Sequence, residues 1–291
     1  MVSKGLIVLS IFLFFFLPLS GQGIEWKLYP VLQDYFEKNH VQEIEPLTGG
    51  KSFDQLFVIK TANQKHVLRI INKKRSWSKR NLIFEATRLI GEKGLGPKVI
   101  WYDHDREFLI TEFIEGEPLK KHDLQDHRVL KNLAHGLRHA HDSLRSLGSS
   151  NKVYSLKERT LQRLKECATY SRSEWMTPLS EKINSIFVPT PSFVVHSDLK
   201  ADNILIKDKK LFIIDWGEAD HGNVYDDLGS IAFHFELDPP QQRELLYLYF
   251  GLSPTKQDME LLALYSWLAR INDKLLNLRE KLKQSLLAIK K

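Results

Sequence analysis

Cysteine is almost missing from this chain: among 291 residues only Cys167 carries a thiol. A lone thiol closes no intramolecular disulfide and builds no CxxC metal site, so neither device holds this fold together. Concentrated positive charge is also missing. The formal net charge of +6 is spread along the sequence, and no basic run is longer than Asn72-Lys73-Lys74-Arg75. That pattern suits small anionic partners and gives no reason to expect nucleic acid. Internal repeats and low-complexity segments are lacking too. What is there is ordinary globular material, 43% hydrophobic and 27% charged, enough for one domain with two lobes or for two small domains.

The N-terminus departs from this. Lys4 is followed by an apolar run over residues 5–17, then Pro18 and the small-residue patch Ser20-Gly21-Gln22-Gly23. A basic start, an apolar centre and a small-residue exit predict a secretory signal or a short membrane anchor in residues 1–23, with attachment through residues 5–19. The run is marginal for a full span, which needs ~20 apolar residues.

From there the periodicities switch back and forth. Residues 25–39 have near-helical apolar spacing. Two β-like runs, 55–60 and 66–71, flank a turn at Ala62-Asn63-Gln64 and follow the glycine-bearing Thr48-Gly49-Gly50-Lys51-Ser52. Adjacent glycines there can close the backbone over phosphates and offer N–H donors, although a plain hairpin turn uses the same residues. A helix is expected over 76–95, strands over 97–102 and 107–111, then a Gly- and Pro-bearing connector, 112–119, that forms the natural domain boundary. The remainder reads as helical: 123–147, 155–170, 178–187, 226–235, 239–250 and 256–287. His127, His135, His139 and His141 lie in the first of these, but no acid or third ligand stands beside the i,i+4 pair His135/His139, so they are expected to be solvated helix residues.

The chemistry is concentrated in Val194-Val195-His196-Ser197-Asp198-Leu199-Lys200-Ala201-Asp202-Asn203-Ile204-Leu205 and in Phe212-Ile213-Ile214-Asp215-Trp216-Gly217. These are two short β-rich segments joined by a polar loop that carries Asp198, Asn203 and Asp215. Two carboxylates and a carboxamide form an oxygen-rich set suited to a hard cation such as Mg²⁺, which also takes waters and phosphate oxygens. The first Asp can accept the proton of an attacking hydroxyl while Asn203 and Asp215 hold metal against a polyphosphate. Any one of these residues alone would be an Asx turn in a surface loop; the ordered set points to phosphoryl transfer.

The pattern H-x-D-x-x-x-x-N…D-x-G resembles the protein-kinase-like superfamily, and within it the chain is similar to the aminoglycoside phosphotransferase and choline kinase family, nearer the choline/thiamine kinase-like branch. The resemblance runs from about residue 42 onward. Departures exist. Trp216 stands where protein kinases usually carry Phe, and Ser197 where many carry the Arg that pairs with a phosphorylated activation loop. Asp226-Asp227-Leu228-Gly229 follows Asp215 almost at once, with no A-P-E segment, so no peptide-docking platform is expected.

The resemblance implies an α+β bilobal fold: a five-stranded antiparallel N-lobe (24–114), a mainly helical C-lobe (115–291), and ATP between them. Asp198 would orient and deprotonate the acceptor hydroxyl, and Lys200 would neutralise the phosphoryl in flight. Asn203 and Asp215 would hold Mg²⁺. Gly49, Gly50, Ser52 and Arg69 would fix the triphosphate, with Arg69 replacing the usual strand lysine and Glu85 as its partner. Leu47, Val58, Val67 and Leu205 would sandwich the adenine, whose edge would meet backbone between Glu112 and Ile114. Asp227 would steady the loop as a helix cap. Trp216, Glu218 and Asp226, near Tyr225 and Phe233, would favour an amino- or ammonium-bearing alcohol as acceptor. A nucleotide-binding pseudokinase or anchored interaction module is the alternative, supported by the imperfect glycine loop and the Arg for Lys. The ATP requirement favours the cytoplasmic side, in tension with the leader.

Overall fold

The structure, a computed structural model, describes residues 29–47, 54–148, 155–170, 173–186 and 193–289. The expected signal or anchor at 1–23 and the residues Gly49, Gly50 and Ser52 lie outside these ranges. Among the described residues no helix is long and apolar enough to cross a membrane.

A 3-10 turn at Pro30–Leu32 runs into α1 (Gln33–Lys38). Then come β1 (Glu43–Pro46), β2 (Gln55–Lys60), β3 (Lys65–Ile70), α2 (Trp77–Glu92), β4 (Val99–Tyr102) and β5 (Phe108–Glu112). The strands form one antiparallel sheet in the order β1-β2-β3-β5-β4.

Strand alternation decides what this sheet presents to each side. Phe57 and Ile59 of β2, Leu68 of β3, and Phe108 and Ile110 of β5 pack with Leu32 and Tyr35 of the N-terminal turn and α1 in one buried cluster. His66 shares that face and bonds Tyr35 Oη through Nδ1 at 2.6 Å. The opposite set, Leu56, Val67, Arg69, Leu109 and Thr111, lines a cleft on the other side of the sheet. Arg69 thus reaches the cleft because it lies an even number of residues from Val67.

The rest is mainly helical: β6 (Glu117–Pro118), α3 (His127–Ser143), α4 (Leu156–Tyr170), α5 (Met176–Asn184), β7 (Phe193–Val195), β8 (Ile204–Lys207), β9 (Lys210–Ile213), β10 (Asp220–Gly222), α6 (Val224–His234), α7 (Pro239–Phe250) and α8 (Lys256–Ile289). Two small antiparallel sheets, β6-β8-β9 and β7-β10, carry the loop at 196–203. β6 and β10 are too short to produce a readable alternation, and the sequence did not predict them.

Local signals account for the boundaries. Asp126 caps α3 by accepting from the Arg128 amide at 2.8 Å, so the helix starts after the expected residue 123, and Lys121–Gln125 forms a 3-10 turn instead. Asp238 accepts from the Gln241 amide ahead of Pro239, while Gly251 closes α7 in the left-handed region (φ 76°). Asp208 and Lys209, both at positive φ, make the tight turn between β8 and β9. α8 packs along α6 and α4, and Gly229 permits that approach: a Cβ there would lie 2.5 Å from Tyr265 Cβ.

Candidate active site

A cleft of about 530 Å³ lies between the five-stranded sheet and the β8-β9 region. Its apolar walls are Leu47, Leu56, Val67, Leu109 and Leu205, and Glu112, Phe113 and Ile114 border it along the connector. Leu56, rather than Val58, completes the apolar wall with Val67. Lys200, Asn203, Asp215 and Arg69 lie on the same cleft surface, so one space combines apolar walls with a polar cluster.

The loop between β7 and β8 is held from below. Asp227, fully buried at the start of α6, accepts from the backbone amides of His196 (2.7 Å) and Ser197 (2.9 Å) and meets His141 Nε2 at 2.9 Å. Burial opposes its charge, but the hydrogen bonds from His141 and from the His196 amide hold its carboxyl below the ordinary value. His141 Nδ1 in turn meets Tyr249 Oη at 2.7 Å. His196 donates from Nε2 to the Ile214 carbonyl (2.8 Å) and accepts the Asp198 amide at Nδ1 (3.2 Å), which joins the loop to the segment ahead of Asp215. Ser197 and Asp215 both adopt positive φ, 73° and 62°, a cost of order 1 kcal/mol or more each that this network sustains.

Two sequence expectations change here. Asp227 steadies the loop by direct backbone contacts, not as a cap; Asn223 and Asp226 form the capping box of α6. His141, expected on a wet helix face, is fully buried between α3, α6 and α7.

On this frame Asp198 accepts from Lys200 Nζ at 2.8 Å and from Asn203 Nδ2 at 3.2 Å, and Asn203 Nδ2 also reaches the Asp198 carbonyl at 2.7 Å. The Asp198 side chain remains 36% exposed, open to an incoming group. Burial disfavours the Lys200 ammonium, yet the Asp198 carboxylate raises it above its ordinary range, so it stays charged.

Asp215 pairs with Arg69 Nη2, and Gly217, whose Cβ would collide with that guanidinium, allows the approach. The other arm of Arg69 donates to Asp54 Oδ2 at 3.0 Å. Asp54 also accepts from the Asn72 amide at 3.0 Å and from Arg75 Nε at 3.3 Å, and Arg75 reaches Glu218 at 2.6 Å. Lys79, on the first turn of α2, contacts Asp220 at 2.6 Å and the Ala219 carbonyl. The sheet and α2 therefore grip the segment after Asp215 through a closed set of charges.

Several expected site residues are employed elsewhere. Glu85 does not meet Arg69: it pairs with Arg88 on its own helix at 2.8 Å, and Asp54, which the sequence reading missed, supplies the carboxylate. Trp216 is buried, bonds the Ile213 carbonyl through Nε1 at 3.1 Å and sets its ring against His196, centroids 4.8 Å apart. Its indole is thus core bordering the nucleotide-sized cleft and offers no free face to an acceptor. Glu218 is committed to Arg75. Asp226 is buried, with its oxygens accepting the Leu156 and Asn223 amides at 3.1 and 3.2 Å. Burial pushes its carboxyl up to about 7.

The donor set fits Mg²⁺. Asn203 turns its NH₂ to Asp198, which directs Oδ1 the other way, and Asp215 keeps its second oxygen beyond the one that meets Arg69. Among the described residues no group of three or more His, Cys, Asp or Glu could hold an ion. One carboxylate plus one amide is the sparse protein contribution expected for Mg²⁺, which keeps waters and takes phosphate oxygens.

A β-sheet lobe over a helical lobe, with this loop in the cleft between them, defines a kinase-like fold. The chain belongs to the phosphotransferase enzyme family, whose sequence profile matches residues 43–265. No match is found among curated proteins. Among solved structures it is similar to choline kinase from Cryptosporidium parvum Iowa II (14% identity, 89% of this chain and 96% of that one, TM-score 0.64). Choline kinase LicA from Streptococcus pneumoniae is similar as well (17% identity, 88% and 92%, TM-score 0.64). A third is the phosphotransferase APH(2")-IIa in a ternary complex with streptomycin and ATP (20% identity, 82% and 88%, TM-score 0.59).

Proposed function

We propose that this protein transfers the γ-phosphoryl group of ATP to a hydroxyl of a small molecule. The observation that carries this reading is the convergence of Asp198, Lys200, Asn203, Asp215 and Arg69 around one cleft with apolar walls. Those walls suit an adenine ring, and solved relatives of this fold include complexes with AMP and with ATP.

Asp198 accepts the proton of the attacking hydroxyl, and its exposure leaves room for the acceptor. Lys200 screens the negative charge between that carboxylate and the transferred group. Arg69, held by Asp54, presents a fixed guanidinium to the phosphates. Mg²⁺, held by Asn203 and Asp215, would neutralise charge on the β- and γ-phosphates. Positioning and electrostatics of this kind supply most of the rate in phosphoryl transfer.

The names of the similar structures suggest choline, ethanolamine or an aminoglycoside as acceptor, each carrying a quaternary ammonium or amine nitrogen. Of the residues expected to hold such a cation, Trp216, Glu218 and Asp226 are engaged elsewhere. The test of the reaction itself is ADP release from MgATP over a panel of alcohols. Acceptor-dependent ADP release that vanishes in Asp198→Asn supports transfer; tight MgATP binding with no transfer to any acceptor favours the pseudokinase alternative.

A further inference from the structure

Helix α6 follows the loop at 196–203 along one of its faces. Asp227, Ser230 and His234 fall at i, i+3 and i+7, within about 60° of one another around the helix. Asp227 holds the amides of His196 and Ser197, and Ser230 Oγ donates to the Leu199 carbonyl at 2.9 Å. His234, one turn past Ser230, carries the same face on toward the Asp198–Lys200 pair, whose charges both act on its ring. His234 is not among the residues lining the nucleotide-sized cleft. A ligand that meets Asp198 from the His234 side is therefore on the acceptor side of that carboxylate.

α8 backs this end of α6. Gly229 lies against Tyr265 and Ser266, and the Arg270 guanidinium stands 5.7 Å from the Phe233 ring centroid, so the two helices advance together. Asp273 follows one turn beyond Arg270 and accepts from Asn277 Nδ2 at 3.1 Å. The loop thus gives His234 the charged neighbours Asp198 and Lys200, and α8 gives it Asp273, while Arg270 is turned onto Phe233.

The His234 ring is half-buried beside Phe233, centroids 4.7 Å apart. Among the described residues neither of its nitrogens has a hydrogen-bond partner, and neither is sealed from solvent. Burial holds the imidazole below its ordinary value, against the pull of the Asp273 and Asp198 carboxylates. At neutral pH the ring is uncharged, with one N–H to donate and one lone pair to accept. Such a ring gains from a ligand group that can hydrogen-bond it.

We propose that His234 hydrogen-bonds the acceptor, so that the alcohol phosphorylated at Asp198 carries a second group with an O–H or N–H. This deepens the kinase reading and rests on it. An alcohol whose only other polar group is a quaternary ammonium is then a poor substrate, because a fully methylated nitrogen offers the ring no hydrogen. A site built to hydrogen-bond a ligand group discriminates against the analogue that lacks it.

The test follows the His234 ring resonance by NMR in the full chain at saturating MgADP, with the peak assigned by its loss in His234→Gln. Ethanolamine, choline and glycerol are titrated in turn. Ethanolamine and choline differ only in the methyl groups on nitrogen, and glycerol offers hydroxyls alone. A saturable shift is expected with ethanolamine or glycerol, about tenfold tighter than with choline, the scale of one hydrogen bond. Ethanolamine preference marks an amine beside His234, and glycerol preference a hydroxyl. By calorimetry, His234→Leu should weaken the preferred probe about tenfold. His234→Gln, whose amide keeps a donor and an acceptor, should hold it within a few-fold, with melting curves confirming that both variants fold. Choline binding as tight as the better of the other two, or unchanged affinity in His234→Leu, overturns the proposal. A protein that binds MgADP but whose His234 resonance moves with no probe defeats this contact alone; one that fails to bind MgADP defeats the kinase reading.

Discussion

Asp54 and Arg69 form a buried ion pair, 3.0 Å from oxygen to nitrogen, that does for this cleft what a helix glutamate was expected to do. Asp54 lies just ahead of β2, and its side chain is fully inaccessible between two arginines. Glu85, the expected partner, is turned away on α2.

Asp54→Asn should therefore weaken MgATP binding about tenfold, the worth of a charge-assisted hydrogen bond. It should also destabilise the fold by ~1–3 kcal/mol, because the buried charged pair is lost while Arg69 keeps Asp215 and Arg75 keeps Glu218. Glu85→Gln removes only a surface pair and should shift stability by less than about 1 kcal/mol. Denaturation and nucleotide titrations on both variants check this; the reverse order of effects would restore Glu85 as the partner.

Asp198→Asn keeps the shape of the loop and removes the proton acceptor. Turnover should drop by ~10²–10⁴, while MgATP affinity stays within a few-fold. Near-normal turnover in this variant assigns the base to another group.

Asp226 gives the fold a pH dependence of unusual sign. Burial raises its carboxyl to about 7 when folded, so between the ordinary carboxylate range and pH 7 the folded protein holds a proton the unfolded chain has released. Stability from this group is present in acid and is lost as pH rises from the ordinary carboxylate range to about 7, by up to about 4 kcal/mol in all. Asp226→Asn cannot titrate, so its stability relative to wild type should improve from about pH 4 to pH 7 and level off above that. Its lost backbone contact adds a constant offset, which leaves the slope as the readout. Parallel stability curves for the two proteins would refute the raised carboxyl.

Much of this was legible in the sequence, for identifiable reasons. Strand alternation put Arg69 on the face of Val67, and the spacing of Asp198, Asn203 and Asp215 survives because a short strand pair forces them together. Ion-pair partners were not legible: whether Glu85 reaches Arg69 depends on how α2 is rotated against the sheet, while Arg88, three residues on in the same helix, is within its reach in any case. Of four histidines in α3, only the packing of α6 and α7 singles out His141. Adjacent Asp226 and Asp227 look alike in sequence, yet one caps a helix and the other suspends the loop at 196–203.

The most direct measurement is calorimetric binding of ATP to the full chain, with and without Mg²⁺, for wild type and Asp215→Ala. The wild type should bind ATP more tightly with Mg²⁺ present, and the variant should lose that dependence, if Asp215 and Asn203 hold the ion as proposed. ATP binding that is absent, or indifferent to both Mg²⁺ and the substitution, would contradict the account.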